Sequence, residues 1–135
     1  MSSCIAHKHL YPIMADMPKE CYKIIIVKEN GKFFTTHHPT EIGNEYIAGI
    51  RPWVASEKGI MKSCIYKGIS RWIEGGFIHT YSNINTAIAR RDTLAKFGIN
   101  TKIFKCEIPT NTEYYDCEMN EYMSKQIMFI SEIQL

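Results

Sequence analysis

The chain has 135 residues, a formal net charge of +2, 45% hydrophobic and 22% charged residues, which fits one domain with a modest core and excludes disorder along its whole length. So mild a charge gives no strong electrostatic argument for nucleic acid or anionic membrane as partner, both of which usually go with a concentrated basic face. The longest uninterrupted apolar run, Ile24 to Val27, is far too short to cross a bilayer.

Residues 1 to 20 have no helical or strand period and carry Pro12 and Pro18, so they read as an N-terminal arm that is flexible or laid along the domain. His7, Lys8, His9 and Asp16 also break any apolar core of a signal peptide there. The five cysteines, Cys4, Cys21, Cys64, Cys106 and Cys117, are odd in number and widely spaced. That pattern favours free thiols in a reducing, cytoplasmic setting. Isoleucine occurs 21 times against three leucines, and lysine 12 times against four arginines. Leu and Ile fill cores about equally well, so the simplest cause of the skew is coding bias in an AT-rich genome, such as that of a bacterium, phage or large DNA virus.

Residues 21 to 135 are expected to form a single domain. Cys21 to Val27 is β-branched and apolar, as in a buried strand, and the Asn30-Gly31 turn returns it to a partner at Phe33 to Thr36. Pro39 to Asn44 reads as a turn, Glu45 to Ala48 as a short strand, and Arg51 to Gly59 as a loop. Ile60 to Tyr66 and Ile69 to Ile73 form either two short strands joined at Lys67-Gly68 or a longer irregular excursion. Phe77 to Tyr81 alternates as a strand, with Phe77, His79 and Tyr81 on one face. A helix over about 83–97 follows, capped by Ser82 or Asn83, with Ile84, Ala87, Ile88, Arg91, Leu94 and Ala95 on its inner stripe and Gly98 as its stop. Lys102 to Ile108 is a strand with Lys102, Phe104, Cys106 and Ile108 on one face. Glu113 to Cys117 is another, Glu118 to Glu121 a polar turn, and Gln126 to Leu135 the last strand, with Ile127, Phe129, Ile133 and Leu135 aligned. Hairpins on both sides of one helix predict an α+β fold, a mostly antiparallel sheet with the helix packed on it.

The strand Tyr22-Lys23-Ile24-Ile25 with its Asn30-Gly31 turn, the run Glu41-Ile42-Gly43-Asn44-Glu45-Tyr46, then Gly76-Phe77-Ile78-His79, Lys105-Cys106-Glu107-Ile108-Pro109 and the closing strand together resemble a loose group of small domains found in phage and giant-virus proteins. The likeness spans residues 21 to 135. It implies fold and source, and the group lends no activity. Where that group has Gly-Phe-His, this chain inserts Ile78.

A remoter likeness, to ADP-ribosyltransferase-like folds, rests on Ile65-Tyr66-Lys67-Gly68 as a strand presenting a basic residue, on His79 and Tyr81 flanking a nicotinamide, and on the late strands from Ile108. It implies a pocket around Lys67, His79 and Tyr81 and NAD as cofactor. Lys67 stands where an Arg is expected, and the Ser-Thr-Ser run and Glu-x-Glu pair of such enzymes are absent from the sequence. Glu118 and Glu121 are the nearest carboxylates that could stabilise a developing positive charge. Cys4, His7, His9 and Cys21 contain zinc-binding atoms, but their spacing matches no established cage. Arg90, Arg91, Lys96, Lys102 and Lys105 do not line up as one basic stripe, because Arg90 and Arg91 diverge by about 100° around a helix. Trp53, Trp72 and Tyr66 are of the types that anchor interfaces, and a short open sheet pairs naturally with a second copy. The expectation is therefore a binding domain with a protein partner or itself as partner, having no cofactor, no metal and no membrane contact. The ADP-ribosyltransferase-like enzyme is its alternative.

Overall fold

The computed structural model describes residues 12–36, 39–55, 62–66, 69–73 and 76–135, with backbone pairing alone for 62–66 and 69–73. Among these residues the fold is sheet-dominated and antiparallel, with one main helix. Its strands are β1 (Ile13–Met14), β2 (Lys19–Val27), β3 (Phe33–Thr35), β4 (Glu41–Ile42), β5 (Trp53–Val54), β6 (Lys62–Tyr66), β7 (Ile69–Ile73), β8 (Ile78–Tyr81), β9 (Thr101–Ile108), β10 (Glu113–Cys117), β11 (Glu121–Ser124) and β12 (Gln126–Glu132). Its helices are the single turn α1 (Asn44–Ile47) and α2 (Ile84–Lys96).

The main sheet runs β1-β10-β11-β8-β2-β9-β12-β5, with β3 and β4 added beside the far half of β2; β6 and β7 form a separate hairpin. Only Lys125 separates β11 from β12, so the path from β11 through β8, β2 and β9 returns to its own continuation. Backbone bonds from Lys125 N to Glu113 O at 3.0 Å and from Ala55 N to Lys125 O at 2.8 Å stitch that corner. The sheet thus wraps around an inner core of Cys21, Ile25, Ile78, Phe104, Cys106, Ile108, Tyr114, Ile127 and Phe129. On its outer side α2 covers a second core of Ile24, Tyr81, Ala87, Leu94 and Ile103. The odd residues of β2 point inward and the even ones outward, as period-two alternation requires.

The local chemistry of the first hairpin is as its sequence demands. Gly31 N–H donates to Lys28 O at 2.8 Å, and Gly31 takes φ +79°, the left-handed position that closes a three-residue loop. Asn83 caps α2 by accepting from Asn85 N at 2.8 Å, and the helix stops at Gly98. Ala87 and Leu94 are buried, Ile84 and Ile88 pack beside them, and Ala95, expected on this stripe, is exposed.

Four expectations need correction. The strand expected from Cys21, β2, begins at Lys19, and before it the end of the arm is laid along the domain, with Ala15 buried and bonded to Asn111 and Thr112 through the backbone. Glu45 to Ala48 falls mostly in a helical turn, because Tyr46 and Ile47, adjacent and both apolar, meet the inner core together from one turn. The chain leaves it through Gly49 at φ +75°, where a Cβ would stand 2.6 Å from Phe129 O. Trp53 and Val54, expected in a loop, pair with β12. In β12 the register slips between Phe129 and Ser131; this bulge turns Ile133 to the helix-side core while Ile127 and Phe129 stay inside. Leu135 is exposed. The two-strand alternative for 60–73 matches the β6–β7 hairpin, in register from Lys62–Ile73 to Tyr66–Ile69.

Candidate functional site

The residues brought together around His79 come from three elements. In β8, Ile78 and Thr80 face the inner core while His79 and Tyr81 face outward. The His79 ring meets Tyr81 edge-on, with centroids 4.8 Å apart. Strand β11 runs antiparallel alongside, placing Glu121 opposite Tyr81 and Met123 opposite His79. Glu121 is therefore a diagonal neighbour of His79 on the same face, and its Oε1 lies 2.9 Å from His79 Nε2. With Nε2 protonated, the imidazole donates this bond. The His79 side chain is 10% exposed and that of Glu121 28%, so the carboxylate is the member of the pair that reaches water.

The turn before Glu121 fixes its position. Met119 and Asn120 both adopt positive φ, 65° and 59°, as tight hairpin turns require. Asn120 O accepts from Ser82 N at 2.9 Å and Asn120 Nδ2 donates to Thr86 Oγ1 at 3.1 Å. The β10–β11 turn is thereby tied to the capped start of α2. Glu121 was expected in a polar turn; instead it opens a strand, β11, that the sequence reading missed. Its signal was weak, since Tyr122-Met123-Ser124 is too short to show a period.

From the inner side, Lys23 holds the same segment. It is 3% exposed, and its Nζ donates to His79 O at 2.7 Å. The β2–β8 ladder is confined to Tyr22 opposite Tyr81; beyond it a side chain can reach the carbonyl. Lys23 is the inner core's buried cation, and strand parity with Cys21 and Ile25 is the sequence signal that places it there. Burial is the main force raising the Tyr81 phenol above its ordinary range, with the Glu121 charge adding to it and Arg90 opposing. A neutral phenol and a carboxylate-bound imidazole can orient a polar group and hold a proton between them.

Of the residues singled out from sequence, His79 and Tyr81 are brought together. Lys67 lies outside the described residues, and Tyr66 and Trp72 lie on β6 and β7, whose side chains are likewise outside them. Trp53 packs half-buried against the inner core, closing it more than presenting a contact. Among the described residues no group of three or more metal-ligating side chains occurs. Cys4, His7 and His9 are outside those residues, and Cys21 is fully buried. Of the basic residues named from sequence, Arg91 pairs with Asp92 at 2.9 Å, Lys102 with Glu132 at 3.1 Å and Lys105 with Glu20 at 3.2 Å. Two open clefts among the described residues, of about 340 and 170 Å³, lie by Lys28 and Gly98 and by Lys102 and Gln134, and neither is lined by His79, Tyr81 or Glu121.

The cysteines divide into two kinds. Cys21 and Cys106 are free and fully buried; burial pushes the Cys21 thiol up to about 12 and Cys106 well above its usual range. Cys117 is disulfide-bonded, which corrects the expectation of free thiols throughout. No helix among the described residues is long and apolar enough to cross a membrane.

No family model matches this chain, and no curated protein or solved structure is significantly similar to it.

Proposed function

We propose that the chain is a binding domain that acts by contact rather than by catalysis, pairing with a second copy of itself at the rim around β5. The observation that carries this reading is the apolar surface left at that rim. Val54, on a two-residue outer strand, is 61% exposed, and Ile50, beside the Gly49–Phe129 contact, is 74% exposed. Ile130, the residue pushed out by the bulge in β12, the strand that β5 pairs with, is 48% exposed. Exposed apolar side chains scattered singly need no explanation, whereas several at one sheet edge favour association. The opposite outer strand, β1, carries Ile13 and Met14, also exposed, and is the alternative surface. Light scattering across a concentration series decides between them. A dimer that Val54→Glu dissociates and Ile13→Glu leaves intact supports the β5 rim; the reverse pattern moves the contact to β1, and a monomer at every concentration removes the reading.

The same reading keeps the chain with the phage and giant-virus group it resembles. It places it in a setting able to form disulfides, as Cys117 favours, over the reducing cytoplasm.

A second reading, an ADP-ribosyltransferase-like enzyme using NAD, is favoured by one observation: Glu121 supplies a carboxylate 2.9 Å from His79 and on the strand position opposite Tyr81. Its test is a thermal-shift measurement with NAD and other nucleotides. A ligand-dependent rise that Glu121→Gln abolishes supports it; no shift with any nucleotide counts against it.

A further inference from the structure

The inner core holds two thiols that the proposed function leaves unused. Cys21 stands opposite Cys106 in an unbroken antiparallel register that runs from Lys19–Ile108 to Ile26–Thr101. One step beyond, Val27 N–H donates to Asn100 O at 2.9 Å, which makes Val27 and Asn100 a hydrogen-bonded pair. Such pairs recur at every second residue of an uninterrupted ladder. Counting back from Val27 by twos reaches Cys21, so Cys21 and Cys106 are a hydrogen-bonded pair as well. Opposed residues of that kind have Cα atoms about 5.5 Å apart, within the usual disulfide span. Both side chains project into the same inner core and both are 0% exposed. Their Cβ atoms, about 5 Å apart in such a pair, must close by roughly 1 Å to reach the disulfide mean. A bond formed here is therefore strained, and strained disulfides are the readily reduced ones.

We propose that Cys21 and Cys106 form a reducible cross-strand disulfide when the chain meets a peroxide, so that the centre of the sheet exists in dithiol and disulfide forms. One thiolate attacks a peroxide oxygen and the O–O bond breaks. The sulfur becomes a sulfenic acid, and the departing hydroxide takes up a proton as water. The second thiolate attacks that sulfur, the S–O bond breaks, and a second water leaves. Two thiols lose two electrons in all, and the peroxide is reduced to two waters. Lys23, on the same face of β2, is the cation beside both thiols and opposes the effect of burial on each. Both thiols are fully buried, so the peroxide reaches them through local opening of the sheet, and because only the thiolate reacts the reaction speeds up as pH rises.

The test uses the full chain, treated with hydrogen peroxide at neutral and at mildly alkaline pH, digested without reductant and analysed by mass spectrometry. A linked pair of peptides carrying Cys21 and Cys106, formed faster at the higher pH, reversed by dithiothreitol and absent from Cys106→Ser, is the expected result. Two free thiols after treatment, oxidation of either to sulfinic or sulfonic acid without a link, or a link from either to another cysteine overturns the proposal. The wild-type digest alone is decisive if the variant does not fold.

Discussion

The two faces of the β2–β9 pair are built from the same two strands and behave as different materials. On the inner face Cys21, Ile25, Cys106 and Ile108 are completely sealed, and a buried cation there, Lys23, donates to a backbone carbonyl. On the outer face only Ile24 and Ile103 are sealed, beneath α2; Glu20 and Lys105 reach water and pair with each other. The inner face stores stability in close packing, where any lost atom leaves a cavity. The outer face, where His79 and Glu121 also lie, is where a group can meet solvent. The buried Lys23 is bonded to His79 O and so ties β8 to β2, whereas charges that reach water are routine.

Substitutions at matched positions break or sharpen this contrast. Phe129→Ala removes a ring packed edge-on against Phe104 at 5.5 Å and is expected to cost about 3–5 kcal/mol in urea unfolding. Leu94→Ala, the outer counterpart at 8% exposure, should fall near the low end of the range of about 2–5 kcal/mol. Equal losses at the two sites would erase the distinction. Alkaline pH probes the inner face from another side. Burial raises the Cys21 thiol from 9.0 to about 12 in the folded chain, so the unfolded chain releases its proton first. This contribution is fully present below pH 9 and is lost as pH rises from there through about 12. Cys21→Ala should flatten the fall in stability over that window, whatever it does to the baseline, and an unchanged slope would contradict the account.

Smaller effects test the turns. Gly49→Ala must place a Cβ 2.6 Å from Phe129 O at positive φ, so it should cost clearly more than the left-handed backbone alone, which costs about 1–2 kcal/mol. Gly31→Ala has the same positive φ in open space and isolates that backbone cost, about 1–2 kcal/mol. Asn83→Ala should lose about 1 kcal/mol of helix capping.

How much of this was legible in the sequence depended on how local the cause was. The Asn30-Gly31 hairpin, the α2 helix from Ile84 to Lys96 and the β9 strand carry their own signals in turn residues, caps and alternation, and the structure has them where those signals lie. The α1 turn and β5 are set by what they pack on, Phe129 and β12, and no period marks them. The bulge at Ile130 is invisible to a strict alternation, yet it decides that Ile133 faces α2. The candidate site divides in the same way. His79 and Tyr81 were placed on one face by parity, whereas Glu121 joins them only through the β11–β8 register, 42 residues away in the chain.

Sedimentation equilibrium of the full chain, alone and as Val54→Glu, tests the central claim most directly. The account predicts a reversible dimer for the wild type and a monomer for the variant, with both equally folded by circular dichroism. A wild-type chain that stays monomeric over the whole concentration range, or a variant that dimerises as strongly as the wild type, would contradict it.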